Sequence, residues 1–307
     1  MKRNNILVVG GAGFVGRPLV KELAEKGLSV SIVDNEFIKP AEAPHGFTSH
    51  YKCDVRDIER LTEVLKEEEP EVIYWLAAKQ GYDNNFALFG SINVGAVYSL
   101  FNALSECSVK KVVLASSQAV YSPGVDVSED HQKIPPSVYG LTKLQQEQAF
   151  MHFCCKFRIE FTALRYSIIL GSGQSMQSTE SGLLRNWLRR WRADEAPLVY
   201  GCGTQSRDFV HIDDVTKANI LALEYGGPAG VYNVAGFKAT VWEMASHFQD
   251  ETGCKTPIVM NEMVRPGGEY SLTSSGEKIH QELSFCPIIE PREQVWDFIQ
   301  FANRSKK

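Results

Sequence analysis

Ile6-Leu7-Val8-Val9-Gly10-Gly11-Ala12-Gly13-Phe14-Val15-Gly16 decides the fold. Four apolar residues run into a glycine cluster, and beyond Gly16 the residues Leu19, Val20, Leu23 and Ala24 recur at three- and four-residue steps. An apolar run followed by a helical period is the pattern of a buried strand, a tight turn and a helix. Gly10 lets the chain turn off the strand. Gly13 clears room for backbone N–H groups to approach a pyrophosphate, and Gly16 lets the helix pack close to the strand. The anion would sit at the helix N-terminus beside Phe14 and Val15, where unpaired N–H groups and the helix dipole favour negative charge.

Outward from this turn, Leu28, Val30, Ile32 and Val33 predict a second strand that ends in Asp34-Asn35. Asp34 lies about 20 residues past the glycines, where a carboxylate binds the adenosine ribose hydroxyls. The same charge repels a 2′-phosphate, so the expected cofactor is NAD rather than NADP. Strand-like and helix-like segments alternate through the first half, which predicts a parallel, doubly wound α/β sheet of the Rossmann type. A smaller C-terminal lobe would bind substrate. The expected division is 1–166 for the cofactor, with 207–238 partly returning to it, and 167–307 for the substrate.

Composition narrows the class. The chain has 307 residues, 44% hydrophobic and 22% charged, with a formal net charge of −5. An acidic balance argues against a nucleic-acid partner. No apolar run reads as long enough to cross a bilayer, and the start of the chain carries no leader pattern. Seven cysteines without regular spacing read as reduced thiols of a cytoplasmic protein. His45, His50 and Cys53 lie close together but lack paired ligand spacing, so no metal site is expected.

Further along, Asp54-Val55-Arg56-Asp57 follows a short strand. Asp54 would face the adenine, and Asp57 would cap a helix from Ile58 to Glu68. Val72 to Leu76 reads as a buried strand ending in Ala77-Ala78, small enough to lie against a cofactor. A helix is expected over Phe86 to Glu106. Asn93 interrupts its apolar face, and either looks at the cofactor loop or closes a buried hydrogen bond. Lys111 to Ala115 is a strand that runs into Ser116, Ser117 and Gln118, and the prolines after it end any regular element. Tyr139 and Lys143 then share one face of a helix. Leu183, Leu184, Trp187, Leu188 and Trp191 form one stripe, which reads as a core-facing helix despite the arginines between them.

The ordered set Gly10 to Gly16, Val33-Asp34-Asn35, Leu76-Ala77-Ala78, Ser116 to Tyr121, Tyr139-Gly140-Leu141-Thr142-Lys143, Leu164-Arg165-Tyr166, Gly171 to Gln174, Arg207 to Val215 and Arg265-Pro266-Gly267 resembles the extended short-chain dehydrogenase/reductases. Within that family it resembles the nucleotide-sugar epimerases and dehydratases. The resemblance implies a catalytic Ser117, Tyr139 and Lys143. It adds Gln80, Asn93, Ser116, Tyr139, Lys143 and Tyr166 to the cofactor contacts, with Lys143 on the nicotinamide ribose. It places Ser117, Gln118, Tyr139, Arg207 and Arg265 on a nucleotide-diphosphate sugar, and implies a homodimer paired through helices Phe86–Glu106 and Tyr139–Phe157. Arginine suits a diphosphate through its bidentate, permanent charge; a local salt bridge between Arg207 and Asp208 is the plainer alternative. Bringing a phenol from its ordinary pKa near 10 to neutrality takes about 4 kcal/mol of differential stabilisation, which a neighbouring ammonium helps to supply.

Two departures bear on the substrate. Tyr121-Ser122 stands where relatives have Tyr-Gly, and Ser167-Ile168 where they often have Phe-Asn. Dehydratases place an Asp-Glu pair after the catalytic hydroxyl residue, whereas here Gln118-Ala119 follow Ser117. The expected reaction is therefore 4-epimerisation through a transient 4-keto sugar, with Tyr139 as base. A sugar-nucleotide 4-reductase or C4 dehydrogenase, a dehydratase, and a non-catalytic NAD-sensing regulator are the alternatives.

Overall fold

Ile6 to Val9 are wholly buried, as a strand with a neighbour on each side and helices on both faces must be. The computed structural model describes residues 5–36, 46–81, 85–104, 107–174, 182–255, 258–261 and 270–304. His45 and Arg265 lie outside them.

The cofactor half holds β1 (Asn5–Val9), α1 (Gly16–Glu25), β2 (Ser29–Asp34), β3 (Ser49–Lys52), α2 (Ile58–Glu68) and β4 (Val72–Trp75). It continues through α3 (Phe86–Phe89), a π-helical turn Gly90–Gly95, α4 (Ala96–Leu104), β5 (Lys111–Ser117), β6 (Gly124–Val127), α5 (Val138–Phe157) and β7 (Glu160–Tyr166). After it come β8 (Ile168–Leu170), α6 (Leu183–Arg192), β9 (Leu198–Tyr200), β10 (Ser206–His211), α7 (Ile212–Tyr225), β11 (Ala229–Val234), β12 (Phe237–Thr240) and α8 (Val241–Thr252). The remainder is β13 (Val259–Asn261), β14 (Leu272–Ser274), α9 (Glu277–Leu283) and α10 (Pro291–Arg304).

Seven parallel strands form the main sheet in the order β11-β7-β5-β4-β1-β2-β3. The order reverses between β1 and β4, the position where doubly wound sheets open a ligand crevice at their C-terminal edge. One face is covered by α2, α4 and α5, through Leu61, Leu65, Leu100 and Phe150. The other is covered by α1, α7 and α9, through Leu19, Leu23, Val215 and Ile279. A five-stranded sheet, β12-β10-β14-β6 with β8 on β10, and a β9–β13 pair form the smaller part. Its core joins Trp187 and Leu188 of α6 to Phe248 of α8 and Phe298 of α10, so the apolar stripe of α6 faces inward. Of residues 207–238, β11 joins the main sheet and α7 covers it, while β10 belongs to the smaller sheet.

Asp57 caps α2 by accepting the Arg60 N–H, as its sequence position predicts. His211 caps α7, its ring accepting the Asp213 N–H.

The run Phe86–Leu104 corrects another expectation. With 19 residues and a mean hydropathy of 1.4, it is long and apolar enough to cross a membrane. Packing accounts for that apolarity, because Phe89, Val97, Leu100 and Phe101 are buried. Val97, Leu100 and Phe101 share the core with α2 and α5.

Candidate active site

A cavity of about 750 Å³ runs from the glycine turn, along the C-terminal edge of the main sheet, to the smaller sheet. Gly10, with φ +88°, could not be replaced without strain, and a Cβ there would meet the Ala77 nitrogen at 2.7 Å. A Cβ on Gly16 would collide with the Gly10 carbonyl. Gly13, Phe14, Val15 and Gly16 line the cavity. No side chain caps α1 and no acid stands in its first turn, so its end is electropositive and suited to a pyrophosphate.

Asp34 and Asn35 lie beside that turn. The Asp34 carboxylate accepts the Ala12 N–H at 2.9 Å and the Glu36 N–H at 3.1 Å. Each oxygen keeps a lone-pair site for a ribose hydroxyl. Asp54 and Val55 also line the cavity. Arg56 grips the Asp54 carboxylate at 2.9 and 2.6 Å and holds its pKa below the ordinary carboxylate value. The sequence reading did not include that partnership.

Leu76, Ala77, Ala78 and Gln80 face the cavity, as does Lys79. Asn93 does not line it. Fully buried, its amide accepts the Lys79 N–H at 2.7 Å and donates to the Lys79 carbonyl and to Thr142, both at 3.0 Å. Of the two readings open for Asn93, the buried hydrogen bond is the one built: it pins the loop that presents Ala77 and Ala78.

Ser116, Ser117, Tyr139, Lys143 and Tyr166 come together where β5, α5 and β7 meet the cavity. Ser137 caps α5 by accepting the Gly140 N–H at 3.0 Å, which fixes the turn that carries Tyr139. Lys143 is 1% exposed. Burial pushes its pKa down to about 7, against the pull of Glu147. Ser116 donates its hydroxyl to Glu147, whose carboxylate pairs with Arg165 at 2.9 and 2.7 Å. The Ser117 hydroxyl accepts the Ala119 N–H at 3.2 Å. Tyr166 donates to Asn219 at 2.9 Å, and burial drives its pKa well up.

Gln118, expected on the substrate, is buried and does not line the cavity; its Oε1 accepts from Ser274. Arg207 does line it, with its guanidinium over the Tyr270 ring at 5.4 Å. Asp208 leaves the strand on the opposite face, where it accepts the Ser274 N–H.

The sequence profile of the NAD dependent epimerase/dehydratase family matches residues 6–235. The chain belongs to that family. A putative UDP-glucose 4-epimerase of Methanocaldococcus jannaschii is 30% identical over 309 residues, covering 98% of this chain and 99% of the relative. A UDP-glucose 4-epimerase of Thermotoga maritima, solved with UDP-glucose, matches with a TM-score of 0.91 at 27% identity, over 99% of this chain and 100% of that one. A UDP-glucuronic acid 4-epimerase from Bacillus cereus, solved with UDP-glucuronic acid and NAD, matches at 0.87 and 25% identity, over 98% and 99%.

For a member of the epimerase/dehydratase family the cavity has a cofactor side and a far side. The described residues fit NAD, since the cleared turn, the uncapped helix and the Asp34 carboxylate answer its pyrophosphate and ribose in order. The far side is formed by Asn186, Leu198, Tyr200 and Gln205, none of which the sequence reading singled out. They come from one helix face, the two ends of the three-residue β9 and the residue before β10, so no local motif marks them.

Proposed function

We infer that this chain is an NAD-dependent 4-epimerase of UDP-sugars that works through a transient 4-keto sugar. One observation carries the reading. The cofactor turn with Asp34 and the Ser117, Tyr139, Lys143 set line the same cavity, and no titratable side chain follows Ser117 at 118 or 119. Elimination of water needs a further acid and base, whereas epimerisation needs only one group that takes a proton and gives it back.

NAD, when bound, supplies the acceptor and donor for the C4 hydrogen. Tyr139 takes the C4 hydroxyl proton and later returns it to the oxygen on the turned sugar. Lys143, one helical turn away, stabilises the phenolate by its charge. Ser117 donates a hydrogen bond to the reacting oxygen and orients it. Arg207 meets the diphosphate, as does Arg265, which lies outside the described residues. The names of the relatives support uridine as the base.

The proposed division of labour is 1–166, with part of 207–238, for the cofactor and 167–307 for the substrate. Apolar side chains left exposed on the helices of one face, Phe86, Tyr98, Leu141 and Met151, support a homodimer. Seven free cysteines speak for a cytoplasmic location.

The test is Tyr139→Phe, measured for interconversion of UDP-glucose and UDP-galactose and for NAD content. The expected outcome is a loss of at least about 100-fold in kcat with bound NAD unchanged. Normal turnover in that variant would end the reading, and a strict need for added NADH would favour a reductase.

A further inference from the structure

The ammonium of Lys143 has a single hydrogen-bond partner among the described residues, the Oε1 of Gln146 less than one turn further along α5. Gln146 is itself 0% exposed, and its Nε2 has no partner among the described residues. An unpaired amide donor is costly in a protein interior. An apolar side chain of the same length would avoid that cost, so packing alone does not explain a glutamine here. The neighbouring acid cannot take its place, because the Glu147 carboxylate is already occupied by Arg165 and Ser116.

We propose that Gln146 is a positioning residue, one that holds the Lys143 Nζ at the cavity and keeps it protonated so that Tyr139 can ionise. The proposal rests on the catalytic reading of Tyr139 and Lys143 given above. An oxygen that accepts from an ammonium favours its charged form. Lys143 needs such help, since burial lowers its pKa to about 7 and Glu147 is the one charge that opposes the fall. That charge is itself shared with Arg165 of β7. The side chains that line the cavity together with the lysine at this point are hydroxyls and phenols: Tyr139 on the same helix, Tyr166 on β7, and Ser116 and Ser117 on β5. An amide therefore supplies what a second carboxylate would oversupply, an acceptor that adds no negative charge to oppose the Tyr139 phenolate.

The test is the pH dependence of kcat/KM for UDP-sugar epimerisation in the holoenzyme, with melting temperature and NAD content as controls. Gln146→Leu is expected to fold and retain NAD, and to move the acid limb of the profile up by about one pH unit. Gln146→Met gives the same readout if leucine disturbs the packing. Gln146→Glu restores an acceptor for the ammonium but adds a charge that opposes the phenolate, so its limb is expected between the wild-type and Gln146→Leu positions. A Gln146→Leu profile that superimposes on wild type would overturn the proposal. So would an upward shift of equal size in all the variants, which would assign the effect to packing. Lys143→Met and Tyr139→Phe keep the two ideas apart. If both abolish turnover while Gln146→Leu leaves the profile unmoved, only this proposal falls. If either retains turnover, the catalytic reading falls first.

Discussion

Asp208 carries a titration that no local sequence pattern announces. It is fully buried in β10, one oxygen accepts the Ser274 N–H, and the other has no partner among the described residues. Burial pushes its pKa from the ordinary 3.8 to about 7. The native chain then holds a proton between those values that the unfolded chain has already released. The stability this contributes is complete below the unfolded pKa and is lost as pH rises through the native one. Against Asp208→Asn, the wild type is expected to lose about 2–3 kcal/mol between roughly pH 5 and pH 8, read from urea midpoints at both values. Equal slopes in the two proteins would rule it out. The other residues divide in the same way. The place of Asp34 beside the glycine turn was legible because its distance from the glycines is a local matter. The commitment of Asn93 to Lys79 and of Gln118 to Ser274 was not, because those partners are 14 and 156 positions away.

Three elements are tied by one buried pair. Glu147 of α5 holds Arg165 of β7 and Ser116 at the end of β5, and both charged side chains are under 5% exposed. Arg165 also donates to the Tyr121 hydroxyl at 2.7 Å, and Tyr121 donates to Asn233 of β11 at 2.6 Å. Removing one member strands the other charge, which costs about 3–5 kcal/mol. Glu147→Ala is therefore expected to lower stability by that amount in denaturant melts and to reduce kcat, because the strand end carrying Ser117 loses its anchor to the helix carrying Tyr139. A loss near zero would show that water reaches Arg165. At this scale the sequence reads well where an element obeys its own period: the strand of β1, the capped α2 and the span of α5 all follow from local pattern. It reads poorly where ends are decided by distant contacts. His211 caps α7 with one ring nitrogen while Asp297 of α10 fixes the other at 3.1 Å, a contact spanning 86 positions.

For the molecule as a whole, the parallel sheet was legible from alternation alone, while the smaller sheet was not. Its strands are three to six residues long and come from five separate stretches, so their pairing depends on chain paths that periodicity does not record. The surface makes its own prediction. Phe86 and Tyr98 are 61% and 52% exposed on helices next to α5, and a second copy of the chain would cover them. Phe86→Glu with Tyr98→Glu is expected to weaken self-association by at least about tenfold, read by sedimentation at several concentrations. A wild type that sediments as one chain would remove the homodimer.

The main sheet is also finished out of turn. Its edge strand β11 is Ala229–Val234, yet it pairs with Glu160–Tyr166, and β8, β9 and β10 are made in between. As the chain leaves the ribosome, β7 stands with one open edge until residue 234 has been added. Arg165 and Tyr121 wait with it for Asn233. The order of synthesis thus interleaves the two sheets: by the time the main sheet can close, three of the five strands of the smaller one have already been made.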